Sequence, residues 1–170
     1  TSPTNKSARI NIYGATTIRH WLITPPVNMP GAGYQLDFDL ALTGYGNSNP
    51  PNLSGVDDKF IVLIGNGSSW TPTNAVMTWD NDASTSGPTY RVYNDIPSTG
   101  ISVTIPLDSY QGIYYIAFYA ESTVSNADND IFVDNVQICQ TPASAVFTIA
   151  PAITSWDFGM VPVGASAEKE

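Results

Sequence analysis

Nucleophilic catalysis assisted by an imidazole would have to use His20, the single histidine of the chain, and Cys139 is the single thiol. No G-x-S-x-G or H-E-x-x-H pattern accompanies them, so a serine-hydrolase elbow and a zinc-protease helix are not expected. His20, directly before Trp21, is expected to be a partly exposed surface residue at a strand entrance. With twelve Asp and three Glu some pair of carboxylates always exists, so such a pair does not by itself indicate glycoside hydrolysis. The acids point instead to a hard cation, because calcium takes carboxylate and carbonyl oxygens. Asp57 and Asp58 close the loop after one strand-like run. Glu121, Asp128 and Asp130 lie in the segment between the last two such runs. The alternative is that these Asp residues cap turns by bonding local backbone. The Asp80–Asp82 copy of the D-N-D triplet reads as a turn, since neither copy continues as a twelve-residue calcium loop.

Asp134 poses a separate question. In DIFVDNVQI, strict alternation places Phe132, Asp134, Val136 and Ile138 on one face, a carboxylate in an apolar row. Such an acid needs hydrogen bonds, a counter-charge or a metal. It is expected either to accept backbone N–H groups or to bind a cation, with Asn135 turned to the opposite face. Aromatic residues offer a binding surface: Trp70, Trp79, Tyr90 and Tyr93 surround polar loops, as suits stacking on a sugar ring, unless they fill the core instead. Trp21 is expected in the core.

The elements that must position these groups read as strands. Tyr34, Leu36, Phe38, Leu40 and Leu42 alternate with polar or small residues without a break, giving a half-buried strand over 34–43. KFIVLIG (59–65), TYRVYNDI (89–96), ISVTIPL (101–107), GIYYIAFYAES (112–122) and DIFVDNVQI (130–138) follow, separated by Gly-, Pro-, Asn- and Ser-rich turns. No stretch keeps helical spacing without meeting Pro, Gly or a β-branched run. The expectation is an all-β chain, a two-sheet antiparallel β-sandwich of jelly-roll type.

Composition narrows the partners. The 170 residues are 42% hydrophobic and carry a net charge of −9, enough for one ordered domain and the start of another. From Asp37 to Asp134, twelve acids meet only Lys59 and Arg91, which argues against nucleic acid, whose phosphates require a basic face. One cysteine excludes an internal disulfide framework. No apolar run reaches membrane-spanning length and no signal-peptide pattern opens the chain, so a soluble chain without membrane insertion is expected, with any export signal outside it. After Cys139 the character changes: residues 140–146 read as a linker and 147–170 as the first strands of a further β domain, cut off by the end of the sequence.

The ordered segments RHWLITPPVNMPGAGYQLDFDLAL, DDKFIVLIGNGSSW, ISVTIPLDSYQGIYYIAFYAEST and DIFVDNVQI resemble the cleaved-adhesin or choice-of-anchor J domain of secreted Bacteroidota proteins, related to the MAM-type jelly roll. The resemblance covers roughly residues 19–138. It implies that the last strand pairs beside the 34–43 strand, so that the two acidic loops emerge at one end and Asp57, Asp58, Glu121, Asp128, Asp130 and Asp134 form a calcium-binding set. Members of that family usually carry an acidic, metal-associated segment before the Trp-Leu-Ile-Thr-Pro motif. Only twenty residues precede Trp21 here, so the domain, residues 1–139, is expected to be trimmed at its front. VFTIAPAITSWDFGMVPVG is similar to the opening of Ig-like repeats that follow such domains. The function this implies is a non-catalytic, secreted or cell-surface adhesion module of a larger multidomain protein, with an extracellular glycan, a host or surface protein, or adjoining domains as partners. The alternatives are a carbohydrate-binding module of a polysaccharide-degrading enzyme and an accessory domain of a secreted peptidase.

Overall fold

The structure, a computed structural model, describes residues 6–14, 18–53, 57–81, 90–123 and 127–141. It is an all-β sandwich of two antiparallel sheets. The strands are β1 (Ala8–Ile12), β2 (Ile18–Ile23), β3 (Val27–Met29), β4 (Tyr34–Gly44), β5 (Lys59–Gly65), β6 (Ala75–Asp80), β7 (Ile101–Pro106), β8 (Gly112–Ser122) and β9 (Asn129–Gln140). The first sheet runs β1-β9-β4-β7. The second runs β2-β8-β5-β6, with β3 also on β8. The last strand therefore does pair antiparallel with β4. Among the described residues no helix is long and apolar enough to cross a membrane.

Alternation in β4 buries Leu36, Phe38, Leu40 and Leu42, which meet Ile116, Phe118 and Phe60 of the facing sheet. Phe38 and Phe118 join the layers edge to face at 5.2 Å. The unbroken apolar run of β5 fits a central strand covered on both sides: Phe60, Val62 and Ile64 enter the core, while Leu63 is buried on the other face. Strands β1 and β6, which the apolar pattern does not announce, close the edges of the sheets.

One expectation is corrected here. The stretch expected as a strand over 89–96 forms none in its described residues, 90–96: Tyr90 makes one isolated bridge to Trp79, and Val92–Asp95 is a single helical turn, α1. Val92 and Ile96 are both buried while Asn94 between them is exposed; an extended chain would put all three on one face, whereas a helical turn points Asn94 away from the other two. Asp95 secures the turn by accepting the Arg91 amide at 2.5 Å. Strand β9 runs through Gln140, and the Thr141 amide donates to Gly33 O at 2.7 Å. Residues 142–170, with the expected Ig-like strands, lie outside the described residues.

Candidate functional site

The outer face of the second sheet is organised in cross-strand rows. Register places Arg19 opposite Glu121, Glu121 opposite Lys59 and Lys59 opposite Asp80, a ladder of alternating charge. Arg19 Nε donates to Glu121 Oε2 at 2.7 Å, and Lys59 Nζ reaches Asp80 Oδ2 at 3.1 Å. The Tyr119 hydroxyl donates to the same Glu121 oxygen at 2.5 Å. Burial works against ionisation of Glu121, but the hydrogen bonds from Tyr119 and Arg19 outweigh it and hold its pKa down. Burial, and then the bond to this carboxylate, pushes Tyr119 up to about 12.

The next row pairs Trp21 with Tyr119, their rings 4.4 Å apart. Trp70 adds a third ring, 6.3 Å from Trp21. Trp70 can lie there because position 65 is glycine: a Cβ would stand 3.2 Å from its ring. The turn bringing it back passes through Gly67 at φ +83°, against the face of Tyr115, where any side chain would collide with the phenol ring. Trp21 is not a core residue but 45% exposed, because with Leu22 turned to the core its neighbour must point outward. The result is an aromatic platform, Trp21, Trp70 and Tyr119, bordered by the Arg19–Glu121 pair.

The four aromatics expected to bind ligand are thus divided. Trp70 belongs to this platform. Trp79 is 1% exposed and packs on Phe60, so it is core and offers no stacking face. Tyr90 is exposed and covers Trp79 at 5.7 Å. Tyr93 is partly buried and donates its hydroxyl to Asp58 Oδ2. Trp21 and Tyr119 were legible only through the pairing of β2 with β8.

The six expected metal ligands are divided as well. Asp57 and Asp58 stand together at the start of β5, where Asp57 Oδ2 accepts the Thr123 amide and hydroxyl at 2.5 and 2.8 Å. Asp128 and Asp130 share Asn11, whose Nδ2 donates to them at 2.8 and 3.2 Å, and Gly46 N donates to Asp130. Glu121 lies in β8 on the outer face rather than in a loop. Among the described residues no three His, Cys, Asp or Glu side chains are grouped to hold a metal.

Asp134 is not in an apolar row. Between Asp37 and Asp39 of β4, strand β9 carries one extra residue, a β-bulge at which Asn135 takes φ +51°. Ile131 and Val133 face inward before it, Ile138 packs against the core after it, and Asp134 faces outward opposite Asp39. It accepts the Asn135 amide at 2.8 Å. Asn135 does not turn away: its Nδ2 donates to Asp39 Oδ2 at 2.6 Å. Here Asp37, Asp39, Ser102, Thr104, Asn135 and Gln137 line an open polar concavity of about 600 Å³ on the outer face of the first sheet. Its acids are already bonded: Thr104 and Gln35 hold Asp37 low, and Ser102 and Asn135 hold Asp39 low. Cys139 donates to Asp37 at 3.2 Å, which raises the thiol pKa. His20 is exposed.

No protein-family model and no curated protein matches the chain. Among solved structures it is similar to the carbohydrate-binding module TmCBM61, determined in complex with β-1,4-galactotriose, at 10% identity and a TM-score of 0.42, over 78% of this chain and 70% of that one.

Proposed function

We propose that the chain is a non-catalytic attachment module of a larger exported protein, and that it holds an uncharged extracellular glycan against the outer face of the second sheet. The observation that carries this reading is the half-exposed Trp21 flanked by Tyr119 and Trp70. A flat aromatic face takes the C–H side of a pyranose, and the neighbouring Arg19–Glu121 pair supplies donors and acceptors for its hydroxyls. The polar concavity of the first sheet is the weaker candidate, because its Asp and hydroxyl groups already satisfy one another. Export and a multidomain setting rest on the resemblance of residues 19–138 to cleaved-adhesin domains, and the non-catalytic reading on the poverty of nucleophile and base.

A second reading is favoured by Ile23 and Ile113, 45% and 65% exposed on the same side of the sheet: a protein surface, either a partner or an adjoining domain, covers the platform. One experiment separates the two. Retention on insoluble polysaccharides and a glycan array should detect binding by the chain. Trp21→Ala should weaken it by about 2 kcal/mol, roughly 30-fold, as for a central aromatic anchor, while Tyr90→Ala leaves it unchanged. No retention on any glycan, or an affinity indifferent to Trp21→Ala and Trp70→Ala alike, would overturn sugar binding and leave the protein-docking reading.

A further inference from the structure

Strand β5 ends at Gly65, and the segment that returns the chain to β6 reads NGSSWTPTN, residues 66–74. An asparagine stands at each end of it, and both fold the segment through the same atom. Asn66 Oδ1 accepts the Ser68 amide at 3.1 Å and its hydroxyl at 2.7 Å. Asn74 Oδ1 accepts the Thr71 amide at 2.8 Å and its hydroxyl at 3.2 Å. Of the two ends of a carboxamide only the oxygen accepts, so in both residues the Nδ2 group is turned away from these donors. Among the described residues neither Nδ2 has a hydrogen-bond partner.

The two amides line one pocket of about 400 Å³, where β5 ends and β8 begins, together with Ser69, Thr73, Tyr110 and Tyr114. Tyr110 and Tyr114 meet edge to face at 5.5 Å and pack against the core, which holds both rings in place. Among the described residues no charged side chain lines the pocket. Such a lining offers an ion nothing to neutralise it. It suits a ligand whose hydroxyls both donate and accept and whose C–H face packs on a phenol ring, which describes a sugar. The pocket also borders the aromatic platform. Gly65 lines it, and a Cβ there would lie 3.2 Å from the Trp70 ring and 3.7 Å from Asn74 Nδ2, so no side chain separates the two at that position.

We propose that this pocket is a subsite for one uncharged sugar ring, with the Asn66 and Asn74 amides donating to its hydroxyls and the Tyr110–Tyr114 pair meeting its C–H face, and that the ring belongs to the glycan lying across Trp21 and Trp70. That the ring is part of the same glycan rests on the platform reading above; the pocket's own affinity for a sugar does not.

The test uses the whole chain, labelled with nitrogen-15 and titrated with neutral hexoses, pentoses, 6-deoxyhexoses and N-acetylhexosamines, their disaccharides, and the matching uronic acids. The side-chain amide signals of Asn66 and Asn74 should move saturably with at least one neutral sugar, in the millimolar range that suits a single ring, and stay in place with its uronic acid. Saturation of the Tyr110 and Tyr114 rings should pass to the C–H protons of that sugar, a readout that needs no variant. The double variant Asn66→Asp, Asn74→Asp keeps the acceptor oxygens that fold the loop and removes both donors. It should weaken the sugar about tenfold, read from the backbone amides of 66–74, with an unchanged melting curve; Tyr90→Ala should have no effect. Asn66 and Asn74 signals unmoved by every sugar, a uronic acid bound as well as its neutral counterpart, or an affinity that the double variant leaves intact would overturn the proposal. Polysaccharide retention that fails while these shifts persist would strike the platform and leave the pocket.

Discussion

Replacing Trp79 by alanine should unfold the sandwich more readily without touching recognition. Trp79 is 1% exposed, with Phe60 at 5.5 Å on one side and Tyr90 at 5.7 Å on the other. Truncation gives up most of the ~150–250 Å² that a buried aromatic removes from water. At about 25 cal/mol per Å² that is about 4–6 kcal/mol, and Trp-to-Ala changes in cores cost about 3–5 kcal/mol. Phe60 is held in the central strand β5 and cannot collapse into the gap without leaving it, so the upper half of that range is expected. For a chain of this size each kcal/mol lowers the melting temperature by about 2–4 °C, giving a fall of about 10 °C or more. Trp79→Phe should recover part of the loss, since it restores a ring against Phe60. Urea denaturation and calorimetric melting give the stability, and polysaccharide retention of the folded fraction gives the binding. A loss under about 1 kcal/mol would refute the packing argument. An affinity lost together with an unchanged melting curve would return Trp79 to the list of ligand-stacking aromatics.

Asn135→Val should cost about 1–2 kcal/mol, because a β-branched residue is forced to φ +51°, whereas Asn135→Gly, which keeps the backbone but loses the bond to Asp39, should cost less; urea midpoints distinguish them. Asp37 and Asp39 have depressed pKa values, so their stabilisation is present above the unfolded value near about 3.9 and is lost as pH falls through the lower folded values. Both acids are close to solvent, so the melting temperature should drop only slightly below about pH 4, and a Ser102→Ala, Thr104→Ala double variant should flatten that drop. Spectrophotometric titration should show a tyrosine ionising at about 12 that disappears in Tyr119→Phe and moves down in Glu121→Gln. Since that pKa is raised, the associated stability is full below about pH 10 and lost as pH rises through about 12; an unaltered titration curve in Tyr119→Phe would contradict the assignment.

The limits of the sequence are visible in single residues. Alternation assigns faces correctly along β4, whose pairing with β7 is regular, but it fails along β9. One inserted residue at Asn135 reverses the parity of everything beyond it, and Asp134 leaves the apolar row to which strict alternation assigned it. Nothing in the local pattern marks that residue, since the bulge is defined by its partner strand. The helical turn at Val92–Asp95 was hidden by β-favouring residue types, and it shows only in the exposure of Asn94 between the buried Val92 and Ile96.

By itself the sequence determined the fold class, the half-buried β4, the apolar strand β5 and a net charge of −9, because these follow from apolar patterning and composition. Tertiary structure alone decided which tryptophan is core and which is exposed, and which acids meet. Trp79 pairs with Phe60 on the inner face and Trp21 with Tyr119 on the outer one. Asp58 meets Ser122 and Asn81 rather than Asp130. Those neighbours lie on strands distant in sequence, and their side of the sheet is set by hydrogen-bond register, a property of pairs of strands that no single stretch of chain encodes.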